Sequence, residues 1–473
     1  MRRREFLGLA GAGVCGLAAT NVFGAATPRH PNFVFIQGEA QGWTSMSVPM
    51  DDRVPNSVSD LFYTPNLARL ARGGMRFSNF YAPSPRCTPS RASYLTGKSP
   101  TKLHMTFVNQ RVGNTKLIPP KPVLEMPTKE MTIADYLKQM GYATAHFGKW
   151  HMGRKDPELH GFDQSDGANN NGGPENVRSP NPKQTYAIAK MGMTFMSQQV
   201  AAETPFYLQL DQYPGRGEQD ALPKTLMEMQ KRAKSRDDRR VGEAAANLDI
   251  DKTIGMVLDK LDELGIADNT YVIYTADHGT PGRSSNAPLT LGKGSVWEGG
   301  IRVPLLVRGP GIKSGTFAYE RTTGVDLFPT IAELSKGDVS LPDGMEGGSL
   351  APILMNQGAG KVKRSREELV FHFPHYDSDP SGPASAIILG DYKLIKFYET
   401  NRIHLFDLSK DIGEHNDLTS AEPKVAVQLH DRLNQYLKSV DAQMPRPNPN
   451  YDPNAPAAQN NRRRGRNRRR RNR

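Results

Sequence analysis

Residues 87–97 read Cys87-Thr88-Pro89-Ser90-Arg91-Ala92-Ser93-Tyr94-Leu95-Thr96-Gly97, and the cysteine that opens them is the first anomaly of the chain. The 473 residues hold two cysteines, and the other, Cys15, lies in MRRREFLGLAGAGVCGLAATNVFGAA (1–26). That segment joins an arginine cluster to a short Ala/Gly/Leu run and ends in small residues, the pattern of a cleaved export signal. Arg3-Arg4-Glu5-Phe6-Leu7 also resembles a twin-arginine signal, which predicts the twin-arginine export machinery as a partner and a periplasmic or extracellular location. Once the signal leaves, Cys87 has no cysteine to pair with. A lone thiol in an oxidising compartment is a liability unless it is buried or converted.

Outward from this segment, strand-like and helix-like runs alternate. PNFVFIQG (31–38) is an apolar run closed by glycine and predicts a core strand. TPNLARLARGG (64–74) has a threonine cap, proline at the first helical position and a glycine stop, which predicts a short helix. TIADYLKQMG (132–141) predicts another, with Thr132 and Asp135 as a capping box. YATAHFG (142–148), PFYLQLDQY (205–213), TYVIYTADHG (270–279) and IRVPLLVRG (301–309) read as strands. Leu248, Ile254, Leu258 and Leu261 mark a long amphipathic helix, and VDLFPTIAELS (325–335) a further one. The alternation implies an α/β fold with a mixed central sheet flanked by helices.

Beyond about residue 365 short strand-like runs precede the helix PKVAVQLHDRLNQYLKSV, which predicts a smaller C-terminal α+β domain. The expected division is an export signal at 1–26, a catalytic domain at 27–365, the small domain at 366–444 and a disordered arginine-rich tail at 445–473. Open α/β sheets build their sites beyond the carboxyl ends of the strands. Glu39, Lys149, His151, Asp277 and His278 all fall there.

In this setting residues 87–97 resemble the recognition signature of the type I sulfatases: Cys, any residue, Pro, Ser, Arg, three variable residues, then Leu-Thr-Gly. Every specified position is filled. The resemblance implies an alkaline-phosphatase-like fold, an arylsulfatase-like hydrolase of sulfate esters, and conversion of Cys87 to formylglycine by a maturation enzyme. A hydrated aldehyde has two hydroxyls on one carbon; one attacks sulfur, and loss of the other's proton expels sulfate and restores the aldehyde. Gly148-Lys149-Trp150-His151 is similar to the family element whose lysine contacts sulfate and whose histidine acts on the formylglycine hydroxyl. Lys149 and His151, two apart, share a face only in extended backbone. Lys293-Gly294-Ser295-Val296-Trp297-Glu298 is similar to the element carrying a second sulfate-binding lysine, and Arg91 takes the place of the arginine that pairs with the formylglycine and the metal ligands. By the same resemblance Glu39, Cys87, Asp277 and His278 hold a divalent metal, Ca²⁺ by preference and Mg²⁺ as the alternative. No organic cofactor is implied.

Two positions depart from the pattern. The family usually carries Asp-Asp after the first strand, where this chain has Glu39-Ala40; water, Gln41 or Asp51 are the available substitutes for the lost ligand. Where the family commonly has Pro-His, this chain has Pro214-Gly215, and His104, His372 and His375 are the remaining candidates for a proton donor. These departures keep open an exported protein that binds sulfated glycans without turnover, and the fold is shared with phosphate and phosphonate ester hydrolases. A sulfated small molecule or polysaccharide is the expected substrate.

The formal charge of +12 is concentrated at the ends. Residues 462–473 hold nine arginines and no acid, and residues 1–26 net +2, so the body is close to neutral. An arginine block without interleaved aromatics is either a solvated tail or a tether for polyanions such as acidic polysaccharide or an anionic envelope, with no specific nucleic acid partner. Deleting 462–473 is expected to leave turnover of a small sulfated substrate nearly unchanged. It should reduce retention on a sulfated polymer at low salt and not at 1 M, where the Debye length is roughly 3 Å; equal retention of both forms across a salt series would mark the tail as merely solvated.

Overall fold

PNFVFIQG forms β1 (Asn32–Gly38), and every one of its residues is buried. Its unbroken apolarity follows from two covered faces: Phe33 and Phe35 enter one core, Val34 and Ile36 the other. A computed structural model describes residues 30–110, 113–171, 181–213, 215, 217–233, 240–281 and 286–454. The expected export signal and arginine block lie outside the described residues.

Seven further strands join β1 in the main sheet: β2 (Met75–Phe77), β3 (Ala143–Gly148), β4 (Gln164–Ser165), β5 (Phe206–Asp211), β6 (Thr270–Ala276), β7 (Leu305–Arg308) and β8 (Thr316–Ala318). Their order is β8-β2-β7-β6-β1-β5-β3-β4. Only β7 is antiparallel to its neighbours, so the carboxyl ends of β1, β3, β5 and β6 share one edge. The IRVPLLVRG run is a strand only from Leu305, because Glu298–Ile301 closes as a helical turn.

The helices on the two faces are α1 (Pro65–Arg72), α2 (Cys87–Thr96), α3 (Ile133–Lys138), α4 (Thr185–Ala201), α5 (Val241–Glu263) and α6 (Leu327–Leu334). α3 has the expected capping box of Thr132 and Asp135. α1 does not use its threonine in this way. The Thr64 hydroxyl accepts from the Ser47 amide (3.0 Å), and the first amides of α1 are met from α5 instead. Asp251 accepts from the Asn66 and Leu67 amides (3.0 and 2.8 Å) and from the Asn66 side chain (3.0 Å). A carboxylate at a helix start answers both orphan amides and the helix dipole.

The small domain is an antiparallel sheet of β9 (Leu369–Phe373), β10 (Ala384–Leu389), β11 (Tyr392–Phe397) and β12 (Ile403–Asp407), in that order. α7 (Pro423–Ser439) covers one face through Leu429, Leu433 and Leu437, which meet Ile387, Leu394 and Leu405. The other face brings Phe371, Ala386, Ile395 and Phe406 against Tyr81, Phe107, Val296 and Ile301. At that seam buried Lys393 bridges Glu298 (2.9 Å) and Glu414 (2.7 Å), and Arg302 Nε meets the second Glu298 oxygen at 2.6 Å. The tail boundary expected at 445 comes too early. Arg446–Pro447 pairs with Leu117–Ile118, and the Asn448 amide donates to the Lys116 carbonyl (2.9 Å), main-chain bonds that composition does not signal.

Asp251→Ala strands two buried amides at the start of α1. A loss of about 2 kcal/mol in unfolding free energy is expected by denaturant titration, against a smaller loss, about 1 kcal/mol, for Thr64→Val, which removes only the bonds to Ser47.

Candidate active site

Cys87 is the first residue of α2, a helix in which every side chain is buried. Arg91 follows one turn later, so the spacing of Cys and Arg in the motif puts both on one helix face. The helix start also places partial positive charge at Cys87. Gly97 ends the helix in the left-handed conformation (φ 64°).

Four side chains from three parts of the chain meet at Cys87. One ligand atom from each of Glu39, Cys87, Asp277 and His278 lies within 4.8 Å of the others, and all four residues are buried. Cys87 Sγ is 3.5 Å from Glu39 Oε1, 3.3 Å from His278 Nε2 and 3.5 Å from Lys293 Nζ. Lys293 Nζ also donates to His278 Nε2 (2.9 Å), and Lys149 Nζ to Glu39 Oε2 (2.5 Å). His278 Nδ1 faces the Gly279 carbonyl at 2.9 Å, which leaves the Nε2 lone pair directed into the cluster. The Cys87 thiol acts to raise the His151 ring against its burial, and the ring's Nδ1 has no partner among the described residues.

Arg91 ties these groups together. Nη1 donates to Asp211 (2.8 Å) and to the Lys149 carbonyl (2.7 Å), while Nη2 reaches Glu39 and Asp277, each at 3.3 Å. Asp211 closes β5 and was not singled out in the sequence. Its signal was present: it ends a buried strand at the carboxyl edge, as Glu39 and Asp277 do. His146 Nε2 (3.1 Å) and Gln209 Nε2 (3.0 Å) also contact it. Lys149 and His151 do converge, but not along an extended run. Gly148 (φ 104°) and His151 (φ 56°) are both left-handed, and a Cβ on Gly148 would stand 2.0 Å from the Asp211 carbonyl oxygen. Glycine is what lets β3 end against β5 and turn Lys149 toward Glu39.

The charges set the ionisation. Burial pushes Glu39 up, yet Lys149 and Lys293 outweigh it and hold the carboxyl well below its usual range. Burial, then Glu39 and Cys87, push Asp277 well above its usual range. Burial and Glu39 raise the Cys87 thiol, but Lys149, Lys293 and His278 win and hold it well below the ordinary thiol value. Burial and Lys293 lower His278 to about 4, so its imidazole is neutral near pH 7, as metal ligation requires. Burial lowers His151 as well.

The buried pair of acids fits a divalent cation. Glu39, Asp211 and Asp277 stand against Arg91, Lys149 and Lys293, all buried, and Asp277 is pushed toward its protonated form; a divalent cation beside Glu39 and Asp277 would favour both acids ionised. Two carboxylates and one imidazole suit a hard or borderline ion, and an oxygen in place of the Cys87 sulfur would make the set harder still.

The substitutes considered for the missing ligand and acid do not join this cluster. Gln41 bonds Tyr274 and the Ser45 carbonyl, and Asp51 holds Arg53 (2.8 Å). Ala40, itself left-handed (φ 55°), offers its amide, which donates to Asp277 Oδ1 at 2.9 Å. A Cβ at Gly215 would lie 2.6 Å from the Ala246 Cβ, so Gly215 packs on α5 with no room for a side chain as arranged. His104 meets the Asp441 carbonyl (2.9 Å), and His372 meets Ser385 (2.7 Å) and the Gln443 carbonyl (3.0 Å). His375 meets Thr106 (2.8 Å) and stacks on Phe107. Burial holds His372 at about 4 and His375 at about 3, both too low to donate a proton at neutral pH.

Comparison with known proteins agrees with this geometry. Residues 31–337 match the Sulfatase family model, and 291–442 match that of the N-sulphoglucosamine sulphohydrolase C-terminal region. A sulfatase of Formosa agariphila is 27% identical, over 86% of this chain and 89% of its own. A ulvan-active sulfatase of the same organism is 27% identical, over 87% and 82%. Among solved structures, Ps i-CgsB in complex with k-i-k-neocarrahexaose superposes with a TM-score of 0.73 at 23% identity, over 88% of this chain and 94% of that one.

Removing Asp211 leaves the buried Arg91 charge short of a carboxylate. Asp211→Ala is therefore expected to lower unfolding free energy by about 3–5 kcal/mol. A calorimetric or denaturant measurement giving under about 1 kcal/mol would mean that Arg91 does not depend on it.

Proposed function

The chain belongs to the sulfatase family, in its type I branch within the alkaline-phosphatase-like superfamily, and from that premise we propose how this sulfuric ester hydrolase works and on what. Its nucleophile is formylglycine made from Cys87, and its substrate is a sulfated carbohydrate, part of a polysaccharide. The observation that carries the reading is the placement of Cys87 at a buried helix start, in contact with Lys293, His278 and Glu39. The carbohydrate assignment draws on the relatives, one of them active on ulvan.

In this reading Lys149 and Lys293 hold the sulfate oxygens by charge from two sides, which an anionic ester needs before any nucleophile can approach. Arg91 fixes the acids through its planar fork and keeps the nucleophile oriented. His151, neutral and with one ring nitrogen unpartnered, takes the proton from the second hydroxyl on the Cys87 carbon as sulfate departs. Glu39, Asp277 and His278 would hold a divalent cation, calcium by preference, which would favour Asp277 ionised and add positive charge where the sulfate binds. No histidine is assigned to the leaving oxygen, so good leaving groups should be favoured. The protein is exported through the twin-arginine route, to the periplasm or beyond, after a formylglycine-generating enzyme has acted on it.

The test pairs peptide mass spectrometry at position 87 with sulfate release from a panel of sulfated sugars and phosphate esters, with and without chelator. Expected are formylglycine at 87, release of sulfate and not phosphate, and loss of at least about 100-fold in rate for Lys149→Ala. Unmodified cysteine in competently matured, active protein would refute the nucleophile. Faster release of phosphate would refute the substrate class.

A further inference from the structure

The donors gathered at Cys87 are one sulfur, one ring nitrogen and two carboxylate oxygens. Their spacing is short and nearly even. Cys87 Sγ stands 3.3 Å from His278 Nε2 and 3.5 Å from Glu39 Oε1. His278 Nε2 stands 3.4 Å from Asp277 Oδ1 and 3.8 Å from Glu39 Oε1. Four donors bonded tetrahedrally to zinc at about 2.0–2.3 Å lie about 3.3–3.6 Å from one another. Calcium instead takes about six to eight oxygens at about 2.3–2.6 Å. While position 87 carries sulfur, the set therefore matches a small ion that accepts nitrogen and thiolate.

The donors are also held from behind, as the ligands of metal sites are. His278 Nδ1 faces the Gly279 carbonyl at 2.9 Å, which turns Nε2 inward. Asp277 Oδ1 accepts from the Ala40 amide (2.9 Å), and Oδ2 accepts from Arg91 (3.3 Å). Glu39 Oε2 accepts from Lys149 (2.5 Å) and Arg91 (3.3 Å), while Oε1 is turned to Cys87. Cys87 itself is fixed in the first turn of α2.

Three of the four donors already converge on one positive charge. Lys293 Nζ lies 2.9 Å from His278 Nε2, 3.3 Å from Glu39 Oε1 and 3.5 Å from Cys87 Sγ. A metal has to displace this ammonium. Lys293 is the cation placed to leave, with its side chain 7% exposed against 0% for Lys149.

We propose that the chain whose Cys87 is still a thiol binds one Zn²⁺ through Cys87, His278, Glu39 and Asp277, with Lys293 swung out of the cluster. The thiol proton passes to solvent as the bond from sulfur to zinc forms. Zinc capture by this form needs no sulfate ester turnover. Its contrast with the converted chain rests on the formylglycine reading: an oxygen in place of the sulfur removes the donor that selects zinc over calcium. Bound zinc engages the sulfur and shields it from oxidation, so a folded chain that has escaped conversion ends as a zinc protein.

The experiment uses the full-length protein with Cys15→Ser, made without a maturation enzyme, so that Cys87 is its one thiol. Zn²⁺ affinity is measured by competition with a chromophoric chelator in excess Ca²⁺, and Co²⁺ serves as the spectroscopic probe. One Zn²⁺ per chain should be retained against Ca²⁺, and the Co²⁺ form should show a thiolate-to-metal charge-transfer band. Adding Cys87→Ser should abolish the band and weaken Zn²⁺ binding at least about 100-fold. Lys293→Met should tighten it. Circular dichroism reports whether each variant is folded; the band in the parent decides the matter if Cys87→Ser is not. No stoichiometric Zn²⁺, no charge-transfer band, displacement by Ca²⁺, equal affinity in folded Cys87→Ser or weaker binding by folded Lys293→Met each overturns the site. Sulfate release by the matured protein, with no Zn²⁺ held by the thiol form, overturns the zinc site and leaves the proposed activity standing. Zn²⁺ held at Cys87 by a chain whose matured form releases no sulfate supports the site and overturns the activity.

Discussion

Arg91 is a fully buried cation, and the site depends on its having acids to meet. Its guanidinium reaches Glu39 after β1, Asp211 at the end of β5 and Asp277 after β6. One side chain on α2 thus gathers the carboxyl ends of three adjacent strands. Burying a charge without partners is among the costliest events in a protein interior, so each acid stabilises the arginine as much as it is positioned by it. Cys87, one turn earlier on the same helix, is carried into the space those acids enclose.

The same dependence extends outward. Lys293 sits on the loop that closes into the Glu298–Ile301 turn, and Glu298 is held by Arg302 from its own element and by Lys393 from the small domain. Ser378 donates to the Lys293 carbonyl, and Asp377 holds Arg86, the neighbour of Cys87. The small sheet is therefore bonded to both flanks of the catalytic cluster, and is more than a cover for the apolar faces of Phe371 and Phe406.

Much of this was legible in sequence because it is local. Apolar runs such as Asn32–Gly38 have one comfortable environment, whereas the helix over Cys87–Thr96, which sets its cysteine and arginine a turn apart, came from the structure. Glu39, Asp277 and His278 were legible because they stand just past strand ends and match the positions at which the type I sulfatases carry their metal ligands. What escaped was what depends on distant partners or on backbone sign. Asp211 looks like any strand-end acid until Arg91 arrives from another element. Thr64 looks like a cap until Ser47 claims its hydroxyl, and Lys149 and His151 look extended until two left-handed residues redirect them. The ordering of Arg446–Asn448 rests on main-chain bonds to a loop some three hundred residues earlier, which no composition encodes.

The complete burial of α2 sets a clock. An enzyme that converts Cys87 would have to reach its thiol, and in the folded protein every residue of α2 is buried. Conversion and folding are then competing processes on the same nascent segment. If Cys87 is converted as proposed, the fraction of modified chains would follow the ratio of the two rates, and a chain that folds first would keep its cysteine for as long as α2 stays docked. Substitutions that merely slow the docking of α2, with no effect on the finished site, would raise the yield of modified protein, while those that hasten it would lower that yield without changing a single catalytic contact.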